Sequence, residues 1–160
     1  MNFENSLQQA LGLVGEYIVR EAQHNLENPS EDKKSGGYDQ GTLHRSISWR
    51  IVPGENAVEI GVFRGMAAME YAPFVEFGTG IHAVHGDGRK TPWLFPNKDH
   101  KYSTEIHYKT KPPKTVTPDW MYTHGRKPCP FLGPALRDNE EQIKQIILNA
   151  IINGENMKND

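Results

Sequence analysis

The apolar residues of this chain change period between Leu26 and Leu43, and that change limits the folds open to it. Upstream, Phe3, Leu7, Ala10, Leu11, Val14, Ile18 and Ala22 recur at steps of three and four, the spacing of one face of an α-helix. Downstream, Leu43, Ile47, Trp49 and Ile51 fall on alternate positions, with His44, Ser46, Ser48 and Arg50 between them. That is the two-residue period of a strand with one buried face. Pro53-Gly54-Glu55-Asn56 has the chemistry of a turn, and Val58, Ile60 and Val62 then alternate again. Residues 42–63 are therefore expected to form a β-hairpin. A second helical stripe, Leu132, Ala135, Leu136, Ile143, Ile146, Ile147, Ala150 and Ile151, is closed by Gly154. Pro134 fits only in its first turn, which puts the helix start near Gly133. The expected fold is α+β: a small antiparallel β-sheet packed with a long N-terminal and a long C-terminal helix.

The 160 residues fit one domain, 1–160. Within it, residues 27–41 read as a flexible linker loop, polar and rich in glycine. Gly12 and Gly15 weaken the first helix by about 1 kcal/mol each relative to Ala, or permit close approach of another backbone. A short helix is predicted over Met69–Phe77, with Tyr71, Phe74, Val75 and Ala68 on one side. Pro73 suits its first turn and Gly78 a left-handed cap. Residues 79–128 show little regular pattern beyond strand-like pieces near 105–110 and 115–117. The single Cys excludes an internal disulfide framework and a multi-thiolate metal site. No apolar run approaches the ~18 residues of a membrane span, and no secretory signal is visible, so the expectation is a soluble protein made in a reducing cytoplasm.

A formal net charge of −2 hides an asymmetry. Residues 1–40 carry three basic and seven acidic side chains, whereas residues 82–128 carry nine basic and four acidic ones, for +5. The same stretch holds five of the seven His and six of the eleven Pro, and reads as an extended basic arm. Its cations Arg89, Lys90, Lys98, Lys101, Lys109, Lys111 and Lys114 are interleaved with aromatics, among them Trp93 and Trp120. Such a mixture suits an anionic partner or a protein interface, and these residues are the candidate partner contacts. A solvated, proline-stiffened loop is the plainer alternative.

His82, His85 and Asp87 are the candidate metal ligands, spaced so that one turn could present them together. No second tight pair accompanies them, H-E-x-x-H is absent, and surface histidines in an open loop account for the pattern better. The sequence contains neither a P-loop nor a G-x-S-x-G nucleophile elbow. Cys129, just before a predicted helix and near His124 in sequence, has the position of a nucleophile but reads better as a small, partly buried thiol. No catalytic residue, cofactor or small-molecule substrate is assigned.

Three phrases go beyond these generic features: GTLHRSI at 41–47, YAPFVEFGT at 71–79 and PFLGPAL at 130–136. In this order, with a helix at either end, they resemble the tail-component family of tailed bacteriophages, the neck or tail-completion proteins of the head–tail junction. The resemblance covers roughly residues 3–152 and implies a virion structural protein with no active site. It would be made in the bacterial host cytoplasm and assembled in a ring with copies of itself. Its partners would be neck, connector or tail-tube proteins, with incidental contact to packaged DNA and none to a membrane. In that picture Tyr71, Phe74 and Phe77 anchor the short helix in the core, at about 2–5 kcal/mol each on truncation to Ala. Glu76 caps a helix or pairs with a basic loop residue, Gly78 turns the chain, and Phe131 and Leu132 fasten the last helix. The basic segment is unusually long and rich in His and Lys for this resemblance, so a role for it is an inference from this sequence alone. Two other classes remain open: a metal-dependent enzyme such as a nuclease, marked by stoichiometric metal on His82 and His85, and a DNA-binding accessory protein, marked by steeply salt-dependent affinity.

Overall fold

A computed structural model describes residues 3–28, 40–96 and 120–156. The elements are α1 (Phe3–Glu27), α2 (Gln40–Ser46), β1 (Ser48–Ile51), β2 (Val58–Gly61), α3 (Ala72–Phe77), a 3-10 turn (Gly80–His82), β3 (Trp93–Pro96), β4 (Trp120–Thr123), α4 (Leu132–Arg137) and α5 (Glu140–Asn156). The fold is α+β. Two antiparallel two-stranded ladders, β1–β2 and β3–β4, accompany the helices. None of the described helices is long and apolar enough to cross a membrane.

Helix α1 carries the core. Ala10, Val14, Ile18, Ala22 and Leu26, each four residues from the next, are all buried, as a 3.6-residue period requires of one face. Against that face pack α4, α5, the β1–β2 hairpin and α2. Val75, Cys129, Phe131 and Ala135 complete the buried cluster from the far side. Polar side chains tie the layers at their edges. Tyr17 Oη donates to Asn139 Oδ1 at 2.6 Å, Gln23 Nε2 to the His44 carbonyl at 3.0 Å and Asn25 Nδ2 to the Phe131 carbonyl at 3.0 Å.

The hairpin pairs Trp49 with Ile60 and Arg50 with Glu59. Alternation puts the Trp49 indole against α1, while the Arg50–Glu59 ion pair at 2.6 Å lies on the outer side, with the guanidinium 4.5 Å from the Phe63 ring centroid. The glycines of α1 are explained by this placement. A Cβ on Gly15 would stand 2.6 Å from Trp49 Cγ, and one on Gly12 would stand 3.3 Å from the ring edge. The close approach is thus that of an indole ring and not of another backbone.

Five expectations about the elements need correction. The short helix starts at Ala72 and not at Met69, the residues just before it forming turns instead. The hairpin strands span 48–61 and not 42–63, because Gln40–Ser46 is helical. Leu43 and Ile47 are both buried and four apart, a step that suits a helix as well as alternation, and Ser46 Oγ donates to the Thr42 carbonyl at 2.8 Å in helical fashion. The proposed linker 27–41 loses its ends to helix, Glu27 to α1 and Gln40–Gly41 to α2; residues 29–39 lie outside the described residues. The C-terminal stripe is two helices, broken at Asp138–Asn139, and α5 runs through Gly154 to Asn156. Asn139 makes the break: its side chain donates to the Ala135 carbonyl at 3.0 Å while its own carbonyl accepts from Ile143 N–H at 3.0 Å, closing α4 and opening α5. Finally, α5 packs chiefly on α1 and not on the sheet.

Of the basic segment, both ends are described. They form the β3–β4 ladder, pairing Trp93 with Thr123 through Pro96 with Trp120. No sequence pattern had marked these strands; the strand-like pieces near 105–110 and 115–117 lie outside the described residues. Thr79–Ile81 runs alongside His124–Arg126. Thr79 N–H donates to the Arg126 carbonyl, Ile81 N–H to the His124 carbonyl, and Arg126 N–H to Thr79 Oγ1, all within 2.9–3.0 Å.

Candidate functional site

The phrases YAPFVEFGT and PFLGPAL, more than 50 residues apart in sequence, meet through one side chain. Glu76 lies near the end of α3, at the entrance to α4. Its Oε2 accepts the N–H groups of Phe131 at 2.7 Å and Leu132 at 3.0 Å, and its Oε1 accepts that of Gly133 at 2.9 Å. The first N–H groups of a helix have no intrahelical acceptor, and a carboxylate there satisfies them and complements the helix dipole. No side chain of α4's own N-cap residue, Phe131, does so. Glu76 is therefore a cap contributed from another element. Beside it, Cys129 N–H donates to the Val75 carbonyl at 2.7 Å, so the chain enters α4 already pinned to α3.

This junction holds open a groove of about 340 Å³ between β2, α3 and α4. Its walls include Val62, Met69, Phe77, Phe131, Leu132 and Leu136. Glu76 is the one ionisable residue among the groove's lining, and both of its oxygens face backbone N–H groups. What the groove presents to a ligand is apolar and aromatic surface. Phe77 on the groove wall is 43% exposed, and Phe74, three residues earlier on the outward side of α3, is 55% exposed. Val84 N–H donates to the Phe77 carbonyl at 3.0 Å, and the His85 ring sits 4.9 Å from the Phe77 ring, centroid to centroid. Large apolar side chains rimming a groove at the surface are the mark of a contact surface.

The remaining sequence candidates distribute as follows. Tyr71 is half-buried and packs on the core, Pro73 stands exposed in the first turn of α3, and Phe131 is buried. Leu132 is half-buried, and Pro134 lies in the first turn of α4. Phe74 and Phe77 do not anchor α3. Ala72 and Val75, three apart, take the core-facing side, which turns Phe74 and Phe77, also three apart, outward. Gly78 ends α3 with φ 72° and ψ 179°, not the left-handed helical cap but a conformation that only glycine adopts readily. Space allows nothing else there, since a Cβ would stand 2.9 Å from the carbonyl oxygens of His82 and Arg126.

His82 closes the 3-10 turn, and His85 and Asp87 are exposed in the turns that follow. Among the described residues, no three His, Cys, Asp or Glu side chains stand together so as to hold a metal ion. Arg89 lies over the Trp93 ring at 5.6 Å and Lys90 Nζ donates to the Gly86 carbonyl at 2.9 Å. Trp120 opens β4, and Lys98, Lys101, Lys109, Lys111 and Lys114 lie outside the described residues. Cys129 is buried in the core.

Sequence reasoning missed Met69 and Leu136 as groove residues. Leu136 fits the helical stripe by spacing, but the break after Arg137 ends the register, and it is left exposed. Nothing in the sequence around Met69 distinguishes it from a core methionine.

The chain matches no family model, no curated protein and no solved structure.

Proposed function

We propose that this chain is a structural component of the head–tail junction of a tailed bacteriophage, acting by assembly into a ring and not by turnover. Its partners are further copies of itself and neighbouring neck, connector or tail-tube proteins, and its place is the virion after synthesis in the host cytoplasm. The basic segment, with Arg89 and Lys90 at its described base, serves as a contact arm toward an anionic neighbour and passes close to packaged DNA.

One observation carries the reading. The two phrases that resemble the tail-component family are joined by the Glu76 cap, and together they frame an exposed apolar groove. A motif pair selected for catalysis would be expected to converge polar groups on a cleft. Here the pair converges apolar ones.

The test is electron microscopy of lysates from the parent phage or prophage with this gene disrupted. DNA-filled heads beside unjoined or malformed tails are the expected result. Normal particles would overturn the proposal.

A further inference from the structure

The charged side chains of this protein are sorted by element. Helices α1 and α5 together carry seven acidic and two basic residues. The described parts of the basic segment, 82–96 and 120–128, carry four basic residues and one acidic, Asp87. Three of those cations, Arg89, Lys90 and Lys127, are exposed, and none of the three pairs with a carboxylate among the described residues. Arg50, Arg137 and Lys144, by contrast, each face one.

These cations stand at the root of the β3–β4 ladder. Trp93 pairs with Thr123; Arg89 lies four residues before the one and Lys127 four after the other, so they flank the ladder on its two limbs. The root is fixed in place. Thr79–Ile81 is hydrogen-bonded along His124–Arg126, and a Cβ on Gly88 would overlap the Gly80 carbonyl. Arg89 Nε donates to Thr91 Oγ1 at 3.2 Å with the guanidinium over the Trp93 ring, which holds its planar fork in one orientation. Beyond the root, β3 and β4 pack on each other and make no comparable contact with a helix or with the β1–β2 hairpin. A two-stranded ribbon alone is at best marginally stable in water, so one set off from the core in this way is suited to being covered.

We infer that the β3–β4 ribbon, with Arg89, Lys90 and Lys127 at its root, is a sequence-independent contact to the phosphate backbone of double-stranded DNA. The inference rests on the junction reading above, which brings the chain to packaged DNA, and it names the side chains that meet it. Four residue pairs make a ribbon about 13 Å long with strands about 5 Å apart. A major groove about 12 Å wide admits a two-stranded β-ribbon. Duplex DNA carries about one negative charge per 1.7 Å of its axis, so uncompensated cations on a ribbon find phosphates wherever they fall along it. Such contacts fix position without reading sequence. The same field repels the acidic layer of α1 and α5, which turns the ribbon toward the duplex.

The test measures fluorescence anisotropy of two labelled duplexes of unrelated sequence, each about 30 base pairs, with purified full-length chain between about 50 and 200 mM salt. The wild type is expected to bind both alike, with log affinity falling against log salt at a slope of about −3 or steeper. Arg89→Gln, Lys90→Gln and Lys127→Gln should each weaken binding about three- to tenfold on both duplexes and reduce the slope by about 1. Arg50→Gln, which removes a cation already facing Glu59, should leave binding unchanged. Should circular dichroism show one variant to be misfolded, the other two decide. No binding at the lowest salt, or binding that the three variants leave unchanged, would overturn the inference. Salt-sensitive self-association lost in the same variants, without DNA binding, would overturn it in favour of an acidic protein surface. Unjoined tails in the gene-disrupted lysate with no DNA binding would strike this inference alone; DNA binding beside normal particles would strike the junction reading and leave the contact standing.

Discussion

The carboxylate of Glu76 accepts the backbone N–H of Phe131, 55 positions further along the chain, at 2.7 Å and so makes the end of one short helix the cap of another. Helix α4 has six residues and could not persist on its own propensity. The cap and the burial of Phe131 and Ala135 hold it. Glu76→Ala would leave three N–H groups without their acceptor, and a stability loss of about 2–3 kcal/mol is expected. Glu76→Gln keeps one acceptor oxygen and loses the charge, so about half that loss is expected. Denaturant unfolding of the two variants checks the order; equal, negligible losses would show that water replaces the carboxylate at no cost.

Trp49 and Gly15 form a second such pair, in which a residue is specified by the space it leaves. Gly→Ala within a helix ordinarily gains about 1 kcal/mol. At Gly15 the new methyl would meet Trp49 Cγ at 2.6 Å, so Gly15→Ala is expected to lose about 1–3 kcal/mol instead. Gly12→Ala, at 3.3 Å from the ring edge, is expected to change stability far less. In a Trp49→Ala background the sign at Gly15 should reverse to a gain. A double-mutant cycle reads this coupling directly.

These two pairs also show where the sequence was readable. The α1 stripe from Ala10 to Leu26 is one continuous period, and its buried face follows from spacing alone. The Trp49/Ile60 register is equally local, set by alternation on both sides of a turn. What local pattern cannot supply is the identity of a distant partner. The spacing of Leu43 and Ile47 satisfies two periods at once, and the side-chain bonds of Asn139 to Ala135 and Tyr17, not an apolar gap, break the last helix. The outward turn of Phe74 and Phe77 follows from smaller residues taking the core side, which inverts the habit of assigning the largest side chain inward. Glu76 was legible as a cap but not as the cap of α4, since nothing near it in sequence names Phe131.

Tyr17 provides a pH-dependent signal. Desolvation by burial, and then the neighbouring Glu21 carboxylate, push its hydroxyl above the usual tyrosine value of 10.0, with Arg20 opposing. A folded-state value above the unfolded one means that the contribution is fully present below pH 10 and is lost as pH rises through the folded value. Deprotonation would also remove the donor to Asn139 Oδ1. Difference titration of tyrosinate absorbance between wild type and Tyr17→Phe should show the missing tyrosine titrating above 10, and the wild type should lose more stability than the variant on going into that range. A Tyr17 midpoint at or below 10 would contradict the assignment.

Gly125 joins the base of the basic segment to the groove side of the domain. It has φ 112°, and a Cβ there would overlap the Thr79 carbonyl oxygen. Gly125→Ala forces both a strained backbone and a separation of the two runs. Hydrogen exchange at Ile81 and Thr79, whose N–H groups donate to His124 and Arg126, is expected to accelerate about 10–100-fold, while amides of α1 change little. Uniform acceleration across the chain would mean that this junction and the core open together.

Phe74 and Val75 are adjacent in sequence and opposite in role. Val75 is 1% exposed in the core, so Val75→Ala is expected to lose about 2 kcal/mol by removing buried methyl groups and leaving a void. Phe74 is 55% exposed, so Phe74→Ala is expected to lose under about 0.5 kcal/mol. Assembly should respond in the opposite order. An exposed aromatic within a contact surface loses binding when truncated, so on the ring-assembly reading Phe74→Ala should reduce self-association more than its effect on folding accounts for. Thermal unfolding and sedimentation of the two variants, measured side by side, separate the roles. A large folding loss for Phe74→Ala with unchanged association would return that residue to the core and remove it from the contact.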